Sequence, residues 1–488
     1  MTPRFDEIVP TDARGQRRQS RKTQKPKKRR GAGKPKGPKR SKLEERFNPN
    51  AAGIDVGSES HYVAVPEERT PTPVRCFGAF TADLHALADW LESCGVTSVA
   101  LESTGVYWIP LFETLEERGF EVLLVDPYKI KHVPSRKTDV LDCQWIQELH
   151  SLGFLTPAFR PSDEICGLRS LARQRDRMIR RCGDHVRHMQ KALEQMNLKL
   201  TEVISKITGK TGMQILRAIL AGERDPQKLA AMRDGRCRHD EATIALALEG
   251  NWRDEHLFEL RQAVEFYDFY QAQIAACDRE MEAKLQSLEA RRPELPALEG
   301  KRKGQPSHPL SFGDGGYSEL YRVTGVDLTR VEGLDAPSVL TIISEIGVDM
   351  TKWRSGKAFA NWLGLCPGSK VTGGKRLSSR SRRCANRAAR AFRMAAYGLQ
   401  HSHSYLGAFY RRIKSRLGAP KAITATAHKL ARIVYAMLRD QAEYDDKGMA
   451  YYETHYRERA LANLKRNARR LGYQLVAVEA EAVAAAVT

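Results

Sequence analysis

The sequence predicts an α/β domain followed by a long, mostly helical region. Three observations carry that reading. Residues 51 to about 155 hold a hairpin pattern and then alternate strand and helix signals, which implies a mixed sheet with helices packed on it. Residues 163 to 290 place apolar side chains three and four apart, and later seven apart, as helical seams do. From Tyr317 to about Tyr473 the pattern is helical again and strongly basic.

Composition narrows the partners. Lys and Arg number 80 against 59 Asp and Glu, a formal net charge of +21 over 488 residues. A surplus of that sign fits a polyanion, and nucleic acid is the expected one. No run of eighteen apolar residues occurs, so no membrane partner is expected. The nine cysteines are scattered, without a Cys-x-x-Cys pair, which fits reduced thiols in the cytoplasm and argues against a disulfide framework or structural zinc. Residues 1–50 carry 17 Lys or Arg against 5 Asp or Glu, a net +12. This segment, with KPKKRRGAGKPKGPKR from Lys25 to Arg40, has too little apolar surface to fold alone and reads as a disordered electrostatic arm.

The elements follow in order. AAGIDVGSESHYVAV, Ala51 to Val65, reads as a β-hairpin with Asp55 beside the turn. A third strand is expected at Val74–Phe80, then a helix from Asp83 to Ser93 with Leu84, Leu87, Ala88 and Leu91 on one face. Ser98 to Leu101 forms a short strand ending at Glu102, a helix runs from about Tyr107 to Arg118, and Glu121 to Val125 is the next strand. A helix from about Lys137 to Ser151 closes the domain. Further on, Val186, Met189, Leu193, Met196, Leu200 and Val203 form one seam, and Leu260, Tyr267, Ile274, Met281 and Leu288 another. Whether these seams meet each other or a second subunit is left open by the pattern. The expected division is a basic tail at 1–50, an α/β domain at 51–160, a helical coiled-coil region at 161–290, a Gly/Pro-rich linker at 291–316, a C-terminal domain at 317–440 and a basic helical extension with its tail at 441–488.

Four carboxylates fall where such a sheet could collect them. Asp55 lies on the first strand, Glu102 at a strand's C-terminal end, and Asp139 and Asp142 three apart on one face of a helix. Singly, each has a structural explanation: a turn residue, a surface acid before Ser-Thr-Gly, a helix-start residue stabilising the dipole. Together they would repel unless a cation joined them, and an all-oxygen set selects Mg²⁺, with Mn²⁺ as the alternative.

In the C-terminal half, LTRVEGLDAPSVLTIISEIG from Leu328 to Gly347 reads as a helix-hairpin-helix-like motif, with Asp335 where a second glycine is usual. A phosphate cradle and a purely structural turn are equal readings of it. Farther on, Gly373-Gly374 is surrounded by Lys370, Lys375, Arg376, Arg380, Arg382, Arg383, Arg387, Arg390 and Arg393. So many cations around a glycine turn are expected to contact phosphates. His401 and His403 lack a nearby third ligand and read as structural.

GIDVGSESHYVAV, LESTGVYW and KTDVLDCQWIQELH resemble the Asp, Glu, Asp, Asp blocks of DEDD transposases. These are bacterial insertion-sequence recombinases related to the Piv DNA invertase, with a RuvC-like fold of the ribonuclease-H type. The resemblance runs from Ala51 to about Leu438 and is weak through the coiled coil. It implies a metal site at Asp55, Glu102, Asp139 and Asp142, and a serine of the C-terminal domain that attacks the phosphodiester and becomes covalently linked to DNA. It also implies guidance by a structured RNA, action as a dimer or tetramer, and residence in the cytoplasm at the nucleoid. At the position of the family's serine this chain has Thr372, so Thr372 and Ser378 stand level as nucleophile candidates, with Ser369 behind them. Two other functions fit the same residues: a junction-resolving nuclease using water as nucleophile, and a non-enzymatic nucleic-acid-binding protein.

Overall fold

A computed structural model describes residues 47–127, 138–292, 308–382, 384 and 386–476, without the side chains of Lys370 and Arg376. The basic arm, most of the expected linker, Arg383 and the last residues lie outside that description. The described residues fall into two units that divide between Phe159 and Arg160.

The first unit is built on a five-stranded sheet of order β3-β2-β1-β4-β5. Its strands are β1 Ala51–Val56, β2 Ser60–Ala64, β3 Val74–Gly78, β4 Ser98–Glu102 and β5 Glu121–Val125. β1 and β2 form the expected hairpin, antiparallel with Asp55 opposite Tyr62, and β3 extends it antiparallel. β4 joins β1 in parallel and β5 joins β4 in parallel, so the sheet is mixed, as the strand-helix alternation predicts. Helices α1 (Thr81–Ser93), α2 (Trp108–Glu117) and α3 (Asp139–Ser151) complete the unit.

Alternation along β1 divides its side chains between two cores. Ala52, Ile54 and Val56 join Leu84, Leu87, Leu91, Leu111 and Leu115 of α1 and α2 in one cluster. Leu87, Leu91, Leu111 and Leu115 are fully buried there, each contributing roughly 1.5–3 kcal/mol against exposure. The opposite face is covered by α3: Ala100 and Val125 pack with Ile146. A strand covered on both sides needs apolar or small residues throughout, which is why AAGIDV reads as a nearly continuous apolar run.

The second unit begins with two 33-residue helices, α4 (Asp163–Gln195) and α5 (Asp254–Gln286), packed antiparallel. Met178 and Cys182 of α4 meet Ile274 and Cys277 of α5, while Met189 and Leu193 share a core with Leu260 and Val264. The seams therefore meet each other within one chain. The first is shorter than its heptads imply: α4 ends at Gln195, Asn197 takes a positive φ of 56°, and Leu200 and Val203 belong to a separate short helix, Leu200–Val203. Short helices at Lys210–Leu220, Pro226–Ala230 and Glu241–Ala247 fill the turn between the long pair.

A buried ion pair pins the two long helices. Arg175 meets Asp278 at 2.5 Å, with the side chains 7% and 0% exposed. Asp278 also accepts from the amide and hydroxyl of Ser311, and Arg175 donates to the carbonyls of His308 and Pro309. The described end of the 291–316 segment is thus fastened to the pair, with Leu310 and Phe312 buried.

The remaining elements are α6 (Tyr317–Thr324), α7 (Ala336–Ile346), α8 (Gly356–Trp362), the hairpin strands β6 (Lys370–Thr372) and β7 (Lys375–Ser378), α9 (Arg387–Gly398), α10 (Tyr405–Leu417), α11 (Ala419–Asp440) and α12 (Gly448–Arg470). Phe359 and Phe392 are fully buried in this bundle, and Tyr435 donates to the Trp353 carbonyl at 2.8 Å. The first helix of the expected helix-hairpin-helix is a single 3-10 turn, Leu328–Arg330. The Asp335 carboxylate accepts from the Ser338 amide and so caps α7 itself, occupying a donor that a phosphate would need.

Two expected outcomes follow from this packing. Asp278→Ala leaves Arg175 charged and buried, and should cost about 3–5 kcal/mol of stability in the second unit, read by urea unfolding. His61 and His150 are buried in the first unit, and desolvation lowers both pKa values below the ordinary 6.5; for His150 the charge of Glu121 opposes this in part. The unfolded chain therefore binds protons near pH 6.5 that the folded unit still refuses, so stability is lost as pH falls below about 6.5. His150→Gln, which keeps a partner for Ser98, should flatten the dependence of the melting temperature between about pH 5 and about pH 7; an unchanged slope contradicts it.

Candidate active site

Gly53 decides where α3 sits. A Cβ added there would lie 2.2 Å from the Gln147 amide nitrogen and 2.5 Å from the Cys143 carbonyl oxygen, so helix and strand backbones touch directly. Asp55 is two residues farther along β1 and faces the same side as Gly53. Cys143 and Gln147 lie one turn apart on α3, and the next position toward its N-terminus in that row is Asp139. The close approach at Gly53 thereby directs the first turn of α3 toward the end of β1 that carries Asp55.

Glu102 completes the arrangement from β4. The parallel register pairs Ile54 with Leu101, which sets Asp55 and Glu102 in step at the C-terminal ends of neighbouring strands. Glu102 shares the α3 face with Ala100, and its Oε1 accepts from the Thr104 hydroxyl at 2.6 Å. Ser103 ties the following turn to β5, donating through both its amide and its hydroxyl to the Val125 carbonyl. On α3, Thr138 caps the helix by accepting from the Leu141 amide, and Asp139 and Asp142 occupy the first turn. There the helix dipole favours negative charge, so the two acids stabilise the helix.

Electrostatics report the same neighbourhood. The Cys143 thiol is pushed up to about 12, first by burial, with the negative charges of Asp55 and Asp142 adding to it. The Tyr62 phenol is raised above its ordinary 10.0, first by its hydrogen bond to Cys76, and Asp139 is among the smaller causes. Asp55 and Asp142 are half-buried, as is Glu102, and Asp139 is exposed. Among the described residues no group of three or more His, Cys, Asp and Glu stands close enough to hold a metal ion as the side chains lie. Asp55 and Glu102 agree in face and in strand end, and Asp139 and Asp142 lie in the first turn of the helix that covers that face.

The hydroxyl candidates belong to the second unit. β6 and β7 form an antiparallel hairpin that interrupts the expected helices, with Thr372 opposite Lys375 and Lys370 opposite Ser378. Gly373 and Gly374 take φ of 53° and 74°, the left-handed pair that a tight two-residue turn requires. Thr372 is exposed at the turn, and Ser369 is exposed just before β6. The Ser378 hydroxyl accepts from the Arg380 amide at 3.2 Å. Four nearby cations are engaged by the protein: Arg387 pairs with Asp176 of α4 at 2.6 Å, Arg390 reaches the same carboxylate at 4.0 Å, Arg382 donates to the Trp362 carbonyl and Arg393 to the Gly364 carbonyl. Lys375 and Arg380 are exposed. His403 is engaged through its carbonyl, which accepts from Met449.

A family model described as Transposase, for the DEDD proteins of the IS110 type, matches residues 52–198. A second, described as Transposase IS116/IS110/IS902 family, matches residues 327–411. The chain belongs to the IS110 family of DEDD transposases. It is therefore an enzyme, and transposases act on DNA. No curated protein matches the chain. The first match holds all four acids and runs through α4; the second spans α7 to α9, with the whole β6–β7 hairpin, and enters α10. No described helix is long and apolar enough to cross a membrane.

Gly53 and Tyr62 escaped sequence reasoning, although a glycine two residues before an acid inside an apolar strand is a signal of close backbone approach. Gly53→Val should force α3 off β1 and cost about 2 kcal/mol or more, lowering the melting temperature of the first unit. A melting temperature unchanged by that substitution would show that α3 is not seated by this contact.

Proposed function

We propose that this transposase cuts and rejoins DNA at a divalent-metal site formed by Asp55, Glu102, Asp139 and Asp142, with a hydroxyl of the β6–β7 hairpin as nucleophile. The observation that supports the reading is the register that sets Asp55 and Glu102 in step at the ends of β1 and β4, on the face covered by α3, whose first turn carries Asp139 and Asp142. The residues fit a hard cation by donor chemistry, since all four are carboxylates. Bound Mg²⁺ or Mn²⁺ would offset the charge that builds on the attacking and leaving oxygens of a phosphodiester.

The chain's own groups supply the rest. The hydroxyl of Thr372 or Ser378, with Ser369 third, attacks phosphorus. A protein–phosphate ester forms as one P–O bond of the strand breaks; the hydroxyl gives up its proton and the departing strand oxygen takes one. Ser378, whose oxygen accepts a backbone amide, keeps its own proton free to give. Lys375, Arg380 and their neighbours hold the strand through its phosphates, with the glycine turn allowing close approach. The ester conserves the bond energy for rejoining to a second strand. Synapsis of two DNA partners calls for more than one active site, so the enzyme acts as a homo-oligomer. Guidance by a structured RNA rests on the family resemblance, and the basic surplus supports a polyanion partner of either kind.

The test uses end-labelled DNA carrying the element's ends. Asp55→Ala and Asp142→Ala should still bind DNA but cleave it on the order of 100-fold or more slowly, and chelation of divalent ions should do the same to the unaltered protein. Full cleavage by both variants would sink the metal-site assignment. A denaturing gel should show a protein–DNA adduct that disappears in either Thr372→Ala or Ser378→Ala. Free ends without an adduct would mean that water is the nucleophile.

A further inference from the structure

We infer that α10, α11 and α12 form a binding pocket for unpaired nucleotides, separate from the four acids and from the β6–β7 hairpin. The cavity has a volume of about 380 Å³, within the ordinary range for ligand sites of roughly 300–1,000 Å³. Four cations line it, Arg412, Arg416, Lys429 and Arg459, and no Asp or Glu is among the lining residues. Uncompensated positive charge in a concave site calls for an anion.

The aromatic groups make the anion specific. The Arg412 guanidinium lies 3.4 Å from the centroid of the Tyr456 ring and 5.6 Å from that of Tyr452. Lys429 stands over Tyr405 at 4.1 Å and Phe409 at 4.7 Å, and donates to the Tyr405 hydroxyl at 2.9 Å. Tyr456 is 44% exposed, and the neighbouring Tyr451 is 42% exposed with its ring against His455, 3.9 Å between centroids. Flat, half-open π faces beside cations are what successive bases and phosphates of a single strand require. A bare phosphate would use the cations and leave the rings idle.

Arg412 supplies an independent sign. Its Nη1 is buried and, among the described residues, has no hydrogen-bond partner. A guanidinium N–H without an acceptor is costly to bury, and a phosphate or base oxygen in the cavity would satisfy it. Beyond the pocket, α12 continues with exposed Arg457, Lys465, Arg466, Arg469 and Arg470, a track for the adjoining backbone. α11 and α12 lie past the end of the second family match, and of the lining residues only Tyr405 and Phe409 fall inside it. The pocket does not depend on the metal-site reading.

The experiment crosslinks the full-length protein by ultraviolet light to 5-iodouracil-substituted oligonucleotides of about a dozen nucleotides, offered as single-stranded DNA, single-stranded RNA and duplex DNA. Crosslinked peptides are mapped by mass spectrometry, because so basic a chain binds nucleic acid elsewhere too. Single strands should crosslink to peptides holding Tyr451, His455 or Tyr456, whether the DNA or the RNA arm is the one captured, and the duplex should not. Tyr456→Ala combined with Arg459→Gln, both on an exposed helix face, should cut that yield about tenfold, while Asp55→Ala leaves it unchanged. No crosslink in α12 from either single strand, an equal yield from duplex, or an unaltered yield in the double variant would overturn the proposal.

Discussion

The first unit depends on one contact without side chains. At Gly53 the backbone of β1 meets the backbone of α3, closer than any Cβ would permit. Everything at the candidate site inherits its position from there. The strand alternation carries Asp55 to the same face, the helical repeat carries Asp139 and Asp142 to the near turn of α3, and the parallel register of β4 brings Glu102 alongside. A side chain at residue 53 would hold the helix farther off and move two acids away from the other two. Bringing like charges onto neighbouring elements is unfavourable by itself, a cost which a bound cation would offset.

In the second unit α4 does the corresponding work through charge. Arg173 holds Glu345 of α7 with two bonds of 2.8 Å, and Arg169 donates to the Ser344 and Glu345 carbonyls at the same helix end. Arg175 pairs with Asp278 of α5, and Asp176 takes Arg387 of α9. Arg387 was expected among the phosphate contacts; its partner on α4 makes it a strut for the helix that follows the hairpin. With α9 held by α4 and α8 packed on α11, both feet of β6–β7 are anchored, so a short exposed hairpin with few apolar contacts can still hold a defined direction. A buried charge pair does not stabilise by itself more than apolar packing would, but breaking one is expensive, and that penalises alternative registers of the long helices.

How much of this was legible in the sequence depends on the range over which each signal acts. The strands of the first unit were readable because alternation and apolar runs are local, and four acids on successive elements could be placed before any coordinates. Their face could not, since it depends on Gly53 meeting a helix some ninety residues later. The heptads of α4 and α5 were plain, yet an antiparallel pair within one chain and a pair between subunits show the same repeat, and only the packing of Met178 with Ile274 separates them. The β6–β7 hairpin was hidden because its strands are short and hold one apolar residue each, Val371 and Leu377; Gly373-Gly374, a recognisable two-residue turn, was the one local clue. Asp335 was ambiguous as a residue type and became plain as a cap once Ser338 was seen to donate to it.

The charge of the molecule is sorted by site. Acids cluster where β1, β4 and α3 meet, on a face that can use them only with a cation present. Cations gather on the hairpin and again between α10 and α12, where aromatic rings stand beside them. A protein that merely coated nucleic acid would need the second kind of surface alone, and its carboxylates would be free to scatter. Placing four carboxylates on neighbouring elements in a chain whose net charge is +21 works against nonspecific attraction at that one place. On the proposed metal-site reading, such a spot would admit a phosphodiester only after its own charge had been offset, which would let binding and strand chemistry be separate events in one enzyme.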